Sequence, residues 1–255
     1  MKTSSTQRNK AKITVAASIL FWLVVWEIAA RLISQQLFLT SPIQVLKTLY
    51  GLLGSSEFYH IVGFSFLRIG AGFLCAAVIG SALSVTAYKL RLVKTLLHPL
   101  MGAVKAAPVA SFVVIALLLV GSKNLSALIS FLMVLPVFYT NILAGLESVE
   151  PERFEAANVF GMRNSDRFRF IYLPYVSPFA RSACEVGIGI SWKAGISAEV
   201  IGIASGSIGE KIYDSKLYLD TSQLFAYTLV VVVVSLLLER LAVLLIRWIE
   251  YRLTN

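Results

Sequence analysis

The sequence predicts an all-α membrane protein with six transmembrane helices and both termini cytoplasmic. Three observations predict it. The 255-residue chain is 57% hydrophobic and only 15% charged, well under the quarter usual for soluble domains. Apolar runs recur at lengths that suit a bilayer, where about 20 apolar residues cross a hydrocarbon core roughly 30 Å thick. The formal net charge of +9 falls mainly in short polar connections, where it sets orientation. In a soluble chain such a balance would point first to nucleic acid; this distribution does not, and no nucleic-acid partner is expected.

The first span covers about 13–33, with Trp22, Trp26 and Glu27 ahead of Arg31. Lys2, Arg8, Lys10 and Lys12 precede it as in a signal peptide, but no small-x-small cleavage site follows, so the span is read as retained. The second, about 69–88, is uncharged, and the third, about 99–120, is interrupted by Lys105 and Pro108. The fourth, about 125–146, is uncharged and carries Pro136. The fifth, about 174–204, is the most polar; the sixth starts near 222 and runs to about 251. The expected organisation is a tail at 1–12, a six-span transmembrane domain at 13–251 and a tail at 252–255. Kinks are expected at Pro108 and Pro136.

Orientation follows from Lys and Arg in the short loops. With the N-terminus inside, the cytoplasm receives Lys2, Arg8, Lys10, Lys12, Lys89, Arg91, Lys94, Arg153, Arg163, Arg167, Arg169, Arg247 and Arg252. The outside receives Arg31, Lys47, Lys123, Lys211 and Lys216, a balance of thirteen against five. In the outer connection at 35–59, Thr40, Ser41 and Pro42 read as a helix start. Ile43, Leu46 and Leu49 follow at helical spacing, which predicts a short interfacial surface helix. Two cysteines, Cys75 and Cys184, and two histidines, His60 and His98, are too few and too scattered for a metal site or catalytic triad. No cofactor is expected.

The loop at 147–174, between the fourth and fifth spans, holds EAANVFGMRNSDRFRFIYLP, from Glu155 to Pro174. Pro151 fits a first helical turn, and Glu150, Glu152 and Glu155 suit its positive end. Ala156 and Ala157 offer a low surface that another protein can approach closely. Gly161 fits a left-handed terminator, and a short basic segment follows before Pro174. Two short helices at a cytoplasmic bend are expected. The residues alone leave two readings open: a loop that merely keeps the topology positive-inside, and a docking surface.

The order Glu155-Ala156-Ala157, then Gly161, then Ile171, Leu173 and Pro174 resembles the cytoplasmic loop of permease subunits of binding-protein-dependent ABC importers. No position departs from that pattern. The stretches SFLRIGAGF (65–73), HPLMGAVKAAPVA (98–110), SWKAGISAEVIG (191–202) and LFAYTLVVVVVSLLLE (224–239) are similar to the nitrate/sulfonate/taurine branch. The resemblance covers nearly all the chain after about residue 40. One departure lies after the fifth span. A compact Gly-x-Gly is expected there, whereas Ser207 and Ile208 separate Gly206 from Gly209.

The resemblance implies that the loop is a coupling helix, with the seven residues named above docking on an ATP-hydrolysing subunit. It implies two ATPase copies, an extracytoplasmic solute-binding protein and a multi-pass place in a bacterial cytoplasmic membrane, among lipid. One set of six spans closes a pathway poorly, so a second copy, most simply a homodimer, is expected. The chain has no Gly-x4-Gly-Lys-Ser/Thr phosphate loop; GSIGEK, at 206–211, fails in spacing and lacks the hydroxyl. It is therefore read as a transport subunit and not an enzyme, with ATP hydrolysis supplied by a partner.

Charges inside spans cost about 2.5–3.5 kcal/mol on insertion scales, so each should face protein or water. Arg68 sits at a span end, where snorkelling accounts for it. Lys105, Lys193 and Glu199 are the candidate pathway residues, and the two lysines suit an anionic cargo. Internal pairing is the competing reading. Lys193 and Glu199 lie about 120° apart around one helix and are not natural partners there. The branch handles sulfonates, taurine, nitrate and bicarbonate, and in some members pyrimidine or vitamin precursors. A self-contained secondary transporter or channel would call for repeated broken helices, and no repeat is evident. A membrane hydrolase would need a nucleophile beside His60 or His98, and none is apparent.

Overall fold

The computed structural model describes the backbone of residues 5–33 and 39–254, and side chains within 14–244 except 15–16 and 33–38. Among the described residues every regular element is helical: α1 (Ser5–Ile33), α2 (Pro42–Leu53), α3 (Ser56–Lys89), α4 (Arg91–Ala106), α5 (Val109–Val120), α6 (Leu125–Glu147), α7 (Pro151–Val159), α8 (Asn164–Arg167), α9 (Leu173–Gly202), α10 (Ile208–Leu217) and α11 (Thr221–Thr254). A 3-10 turn, Ser122–Asn124, leads into α6, and a π-helical turn, Phe168–Tyr172, joins α8 to α9. The tail residues 1–4 and 255, the side chains of Arg8, Lys10, Lys12, Arg247 and Arg252, and connection residues 35–38 lie outside the described set.

Among the described residues three helical segments are long and apolar enough to cross a membrane: Ser56–Lys89, Ser122–Glu147 and Thr221–Leu244. The pair α4 and α5, bent by 105°, makes a fourth if counted as one broken span. α9 has the length, 30 residues, but carries Arg181, Glu185, Lys193 and Glu199.

Two boundaries differ from the sequence reading, each for a local reason. α3 begins at Ser56, well before the apolar run at 69, because polar residues dilute hydropathy without breaking a helix. The third span is cut in two rather than kinked. Ala107 is extended, with φ −75° and ψ 139°, because the Pro108 ring excludes the helical region from the residue before it. α6, by contrast, continues through Pro136.

The chain divides into two compact units. One comprises Met1–Tyr59 and Lys211–Val230. In it the expected surface helix forms as α2: Ser41 caps it, its Oγ accepting from the Gln44 N–H at 3.3 Å, and Pro42 starts it. Val45 is buried while Ile43 and Leu46 are exposed. Here too Thr40 and Thr221 share a 2.6 Å hydroxyl hydrogen bond, and Lys211 pairs with Glu57 at 2.8 Å.

The second unit comprises His60–Glu210 and Val231–Asn255. Its centre is the packing of α6 on α9. Val134, Val137, Phe138, Ile142 and Leu146 of α6 meet Ala183 of α9 and Ala76 of α3. Toward the other end, Leu125 and Ile129 of α6 meet Ala194 and Ala198 of α9 and Val113 and Ala116 of α5. Alanines recur on α9 because small side chains let two helix backbones approach closely. Lys94 of α4 pairs with Glu147 at the end of α6.

Candidate functional site

The segment between α6 and α9 folds as two short helices at a bend. α7 begins with Pro151 in its first turn and ends in a left-handed cap: Gly161 has φ +60°. The Gly161 N–H donates to Asn158 O at 3.1 Å and the Met162 N–H to Ala157 O at 2.9 Å, the paired bonds of a Schellman motif. Arg167 fastens the turn, donating to Met162 O at 3.1 Å and to Asn158 Oδ1 at 2.9 Å. Under it lies a small core of Val149, Ala157 and Ile171, with Phe154, Met162, Tyr172 and Tyr175 packed against it.

That core divides the seven residues singled out in the sequence. Ala157 and Ile171 are 1% and 5% exposed and serve the segment's interior. Glu155, Ala156, Gly161 and Pro174 are exposed, and Leu173, the first residue of α9, is half-buried. The exposed surface also holds four apolar side chains that motif reading missed: Val159, Phe160, Phe168 and Phe170, the first two 83% and 81% exposed. The available signal was an apolar residue on either side of Gly161 in a segment otherwise charged. A polar helix carrying such residues outward leaves apolar surface uncovered.

The charges inside the helices are handled differently. Lys105, at the end of α4, is exposed, and its Nζ donates to Thr140 Oγ1 on α6 at 3.1 Å. Thr140 passes its own proton to Pro136 O at 2.8 Å. Lys193 is exposed on α9, one turn from the exposed Ser197. The structure does not bring Lys105, Lys193 and Glu199 together by any direct hydrogen bond or ion pair among the described residues.

Glu199 is fully buried, at 0% exposure. Its Oε2 accepts from Ser65 Oγ on α3 at 2.7 Å and from the Gly209 N–H at 3.4 Å. Ser65 Oγ in turn accepts from the Ile208 N–H at 3.0 Å. The turn between α9 and α10 closes over this carboxylate. Gly206 has φ +78°. Ser207 Oγ accepts from the Glu210 N–H at 3.0 Å, and Glu210 Oε2 accepts from the Gly206 N–H at 2.6 Å. These two bonds approximate a capping box at the start of α10. A Cβ on Gly209 would stand 2.2 Å from Glu199 Cβ and 2.5 Å from the Val200 nitrogen. The wider spacing of the two glycines therefore has a use: one turns the chain and the other lets α10 touch α9. Ser126 Oγ lies beside the carboxylate, and among the described residues neither it nor Glu199 Oε1 makes a hydrogen bond of ordinary geometry. Sequence reading flagged Glu199 but not Ser65 or Ser126, whose hydroxyls come to the carboxylate only through tertiary packing.

Residues 69–255 match the family model described as the binding-protein-dependent transport system inner membrane component. The chain belongs to that family. As a member it is a multi-pass protein of the cytoplasmic membrane. It is 28% identical to a nitrate import permease protein of Synechocystis over 88% of this chain and 84% of that protein. It is 25% identical to a taurine transport system permease protein of Escherichia coli, over 89% and 83%. It is 26% identical to a bicarbonate transport system permease protein of Synechococcus elongatus, over 91% and 87%. With a putative aliphatic sulfonates transport permease protein of Bacillus subtilis also similar, the chain falls in the nitrate/sulfonate/taurine branch. These relatives are transport permeases, and family membership implies ATPase and binding-protein partners in general.

Proposed function

We propose that the chain is the transmembrane subunit of an ATP-driven importer for a small anionic solute. It has six spans, both termini cytoplasmic, and works as a homodimer with two ATPase subunits and an extracytoplasmic binding protein. The observation that carries the reading is the segment from α7 to the π-helical turn. It combines its own small core with outward-facing Glu155, Ala156, Val159 and Phe160. Such a surface suits an anchor in a partner's cleft, where exposed aromatic groups supply much of the binding energy. Ala157, Gly161 and Ile171 hold its shape. Leu173 and Pro174 carry it without a loop into α9, 30 residues long and so roughly 45 Å at 1.5 Å per residue. Movement of the cleft then tilts α9, and the pathway alternates its opening.

Lys105 and Lys193 supply positive charge to that pathway. Both are exposed in the single chain, as groups that face an aqueous pathway must be. Glu199 bears on the pathway from its outer end. A sulfonate, taurine, nitrate or bicarbonate fits that charge; a pyrimidine or vitamin precursor fits it less well. The test is copurification. A tagged chain extracted from its native membrane should bring down an ATPase subunit. Glu155→Arg and Gly161→Pro should each lose it while the spans still insert. Retention by both variants, or uphill uptake by the purified chain without nucleotide, would overturn the reading.

A further inference from the structure

We propose that Ser65 is a positioning residue for transport: through Glu199 it binds the outer turn, Ile203–Gly209, to α9, so that the two move as one body. This rests on the docking reading above, in which α9 is driven from its cytoplasmic end.

The Ser65 hydroxyl both donates and accepts. Its single proton goes to Glu199 Oε2 at 2.7 Å, and a lone pair takes the Ile208 N–H at 3.0 Å. One hydroxyl from α3 thus joins a side chain of α9 to the first backbone donor of α10. All three groups are buried, with Ser65, Glu199 and Ile208 at 0% exposure, so no bulk water replaces a lost bond. The Gly209 N–H, at 3.4 Å, is a longer contact and holds the carboxylate less firmly. Gly209 lies flat on the α9 backbone at Glu199, so the end of the turn has no room to slide while Ser65 keeps the carboxylate in place. Ala204 N–H donates to Glu199 O at 3.2 Å and closes the turn onto the same residue. At the far end of α9, Ile171 and Tyr172 sit in the small core under α7. A single helix therefore has the docking segment at one end and the Ser65-held turn at the other.

Ser126 provides the internal control. It is equally buried, at 0% exposure, and lies beside the same carboxylate, but among the described residues it makes no bond to the Ile208 N–H. Removing either hydroxyl removes the same atom from the same cluster, and only Ser65→Ala breaks the bond to the turn.

The test uses the complex of the full-length chain with the ATPase subunit that copurifies with it, in lipid nanodiscs. Amide hydrogen exchange is measured with and without ATP plus vanadate, which holds ATPase pairs closed. In wild type and Ser126→Ala, closure should alter exchange both in the coupling segment, 155–163, and in the outer turn, 203–209. The outer-turn change should reach at least about fivefold, the lower end of coupling between linked sites. In Ser65→Ala the coupling segment should still respond, while the outer turn changes by less than about twofold. A full outer-turn response in Ser65→Ala overturns the proposal, as does an equal loss in Ser126→Ala, which would mark a packing effect. A wild type whose outer turn ignores closure also overturns it. If no ATPase subunit copurifies, or 155–163 does not respond in wild type, the docking reading itself fails and this inference falls with it.

Discussion

The capped segment before α9 and the turn after it invert the usual rule of burial in opposite senses. In the capped segment Val159, Phe160, Phe168 and Phe170 stand exposed, where soluble loops rarely gather large apolar groups. At the outer turn Ser65, Glu199 and Ser207 are fully buried, where polar groups must find partners or cost stability. The first region gains little stability from its own surface, which under the proposed function is what another subunit grips. The second is closed on itself through buried hydrogen bonds. In the proposed reading one region serves contact and the other rigidity, and α9 connects them.

The largest expected effect breaks the rigid end. Gly209→Val places carbon where Glu199 Cβ already stands 2.2 Å away. Overpacking against backbone should cost about 3 kcal/mol or more, seen as a sharply lower melting temperature in detergent. A normal melt would mean that the outer turn is loose and the contrast between the regions false. Next comes the contact end. Phe160→Asp should leave the melt unchanged, because the ring is 81% exposed. It should weaken binding of the ATPase subunit by about 2 kcal/mol, roughly thirtyfold in Kd, by titration of the reconstituted pair. Unchanged binding would move the docking surface elsewhere on the segment.

Smaller effects sharpen the picture within the coupling segment. Gly161→Ala forces a side chain into φ +60°, which should cost about 1–2 kcal/mol. Local exchange at Met162 should quicken while the global melt barely moves, if the segment is a separate small core. A fall in the global melt as large as that of Gly209→Val would show that the segment is not separate. The smallest effect is expected for Lys94→Met. Its pair with Glu147 is 44% and 42% exposed, and exposed pairs contribute roughly 0–1 kcal/mol. A larger loss of ATPase binding would make that pair part of the docking geometry.

The helical class, the positions of most elements and the capped bend at Gly161 were legible in the sequence. Hydrophobic runs, Pro151 and a glycine with the right neighbours act locally, within a few residues of where they stand. The short helix at Pro42–Leu53 was legible for the same reason. The division of Glu155, Ala156 and Ala157 into exposed and buried was not, since the motif gives spacing and not the direction each residue faces. The early start of α3 was hidden because hydropathy reports where lipid is favoured and not where a helix begins.

By itself the sequence determined that the chain is an apolar helical protein with a polar, glycine-capped segment between two long helices, and it carries no Gly-x4-Gly-Lys-Ser/Thr pattern. Those properties follow from composition, period and local backbone preference. Only the tertiary structure decided that Glu199 is a buried acceptor for Ser65 and that Gly209 must lack a side chain. Glu199 is 134 residues from its hydroxyl donor, and hydrogen bonding at such separation depends on how α3, α9 and α10 pack, which no local pattern records.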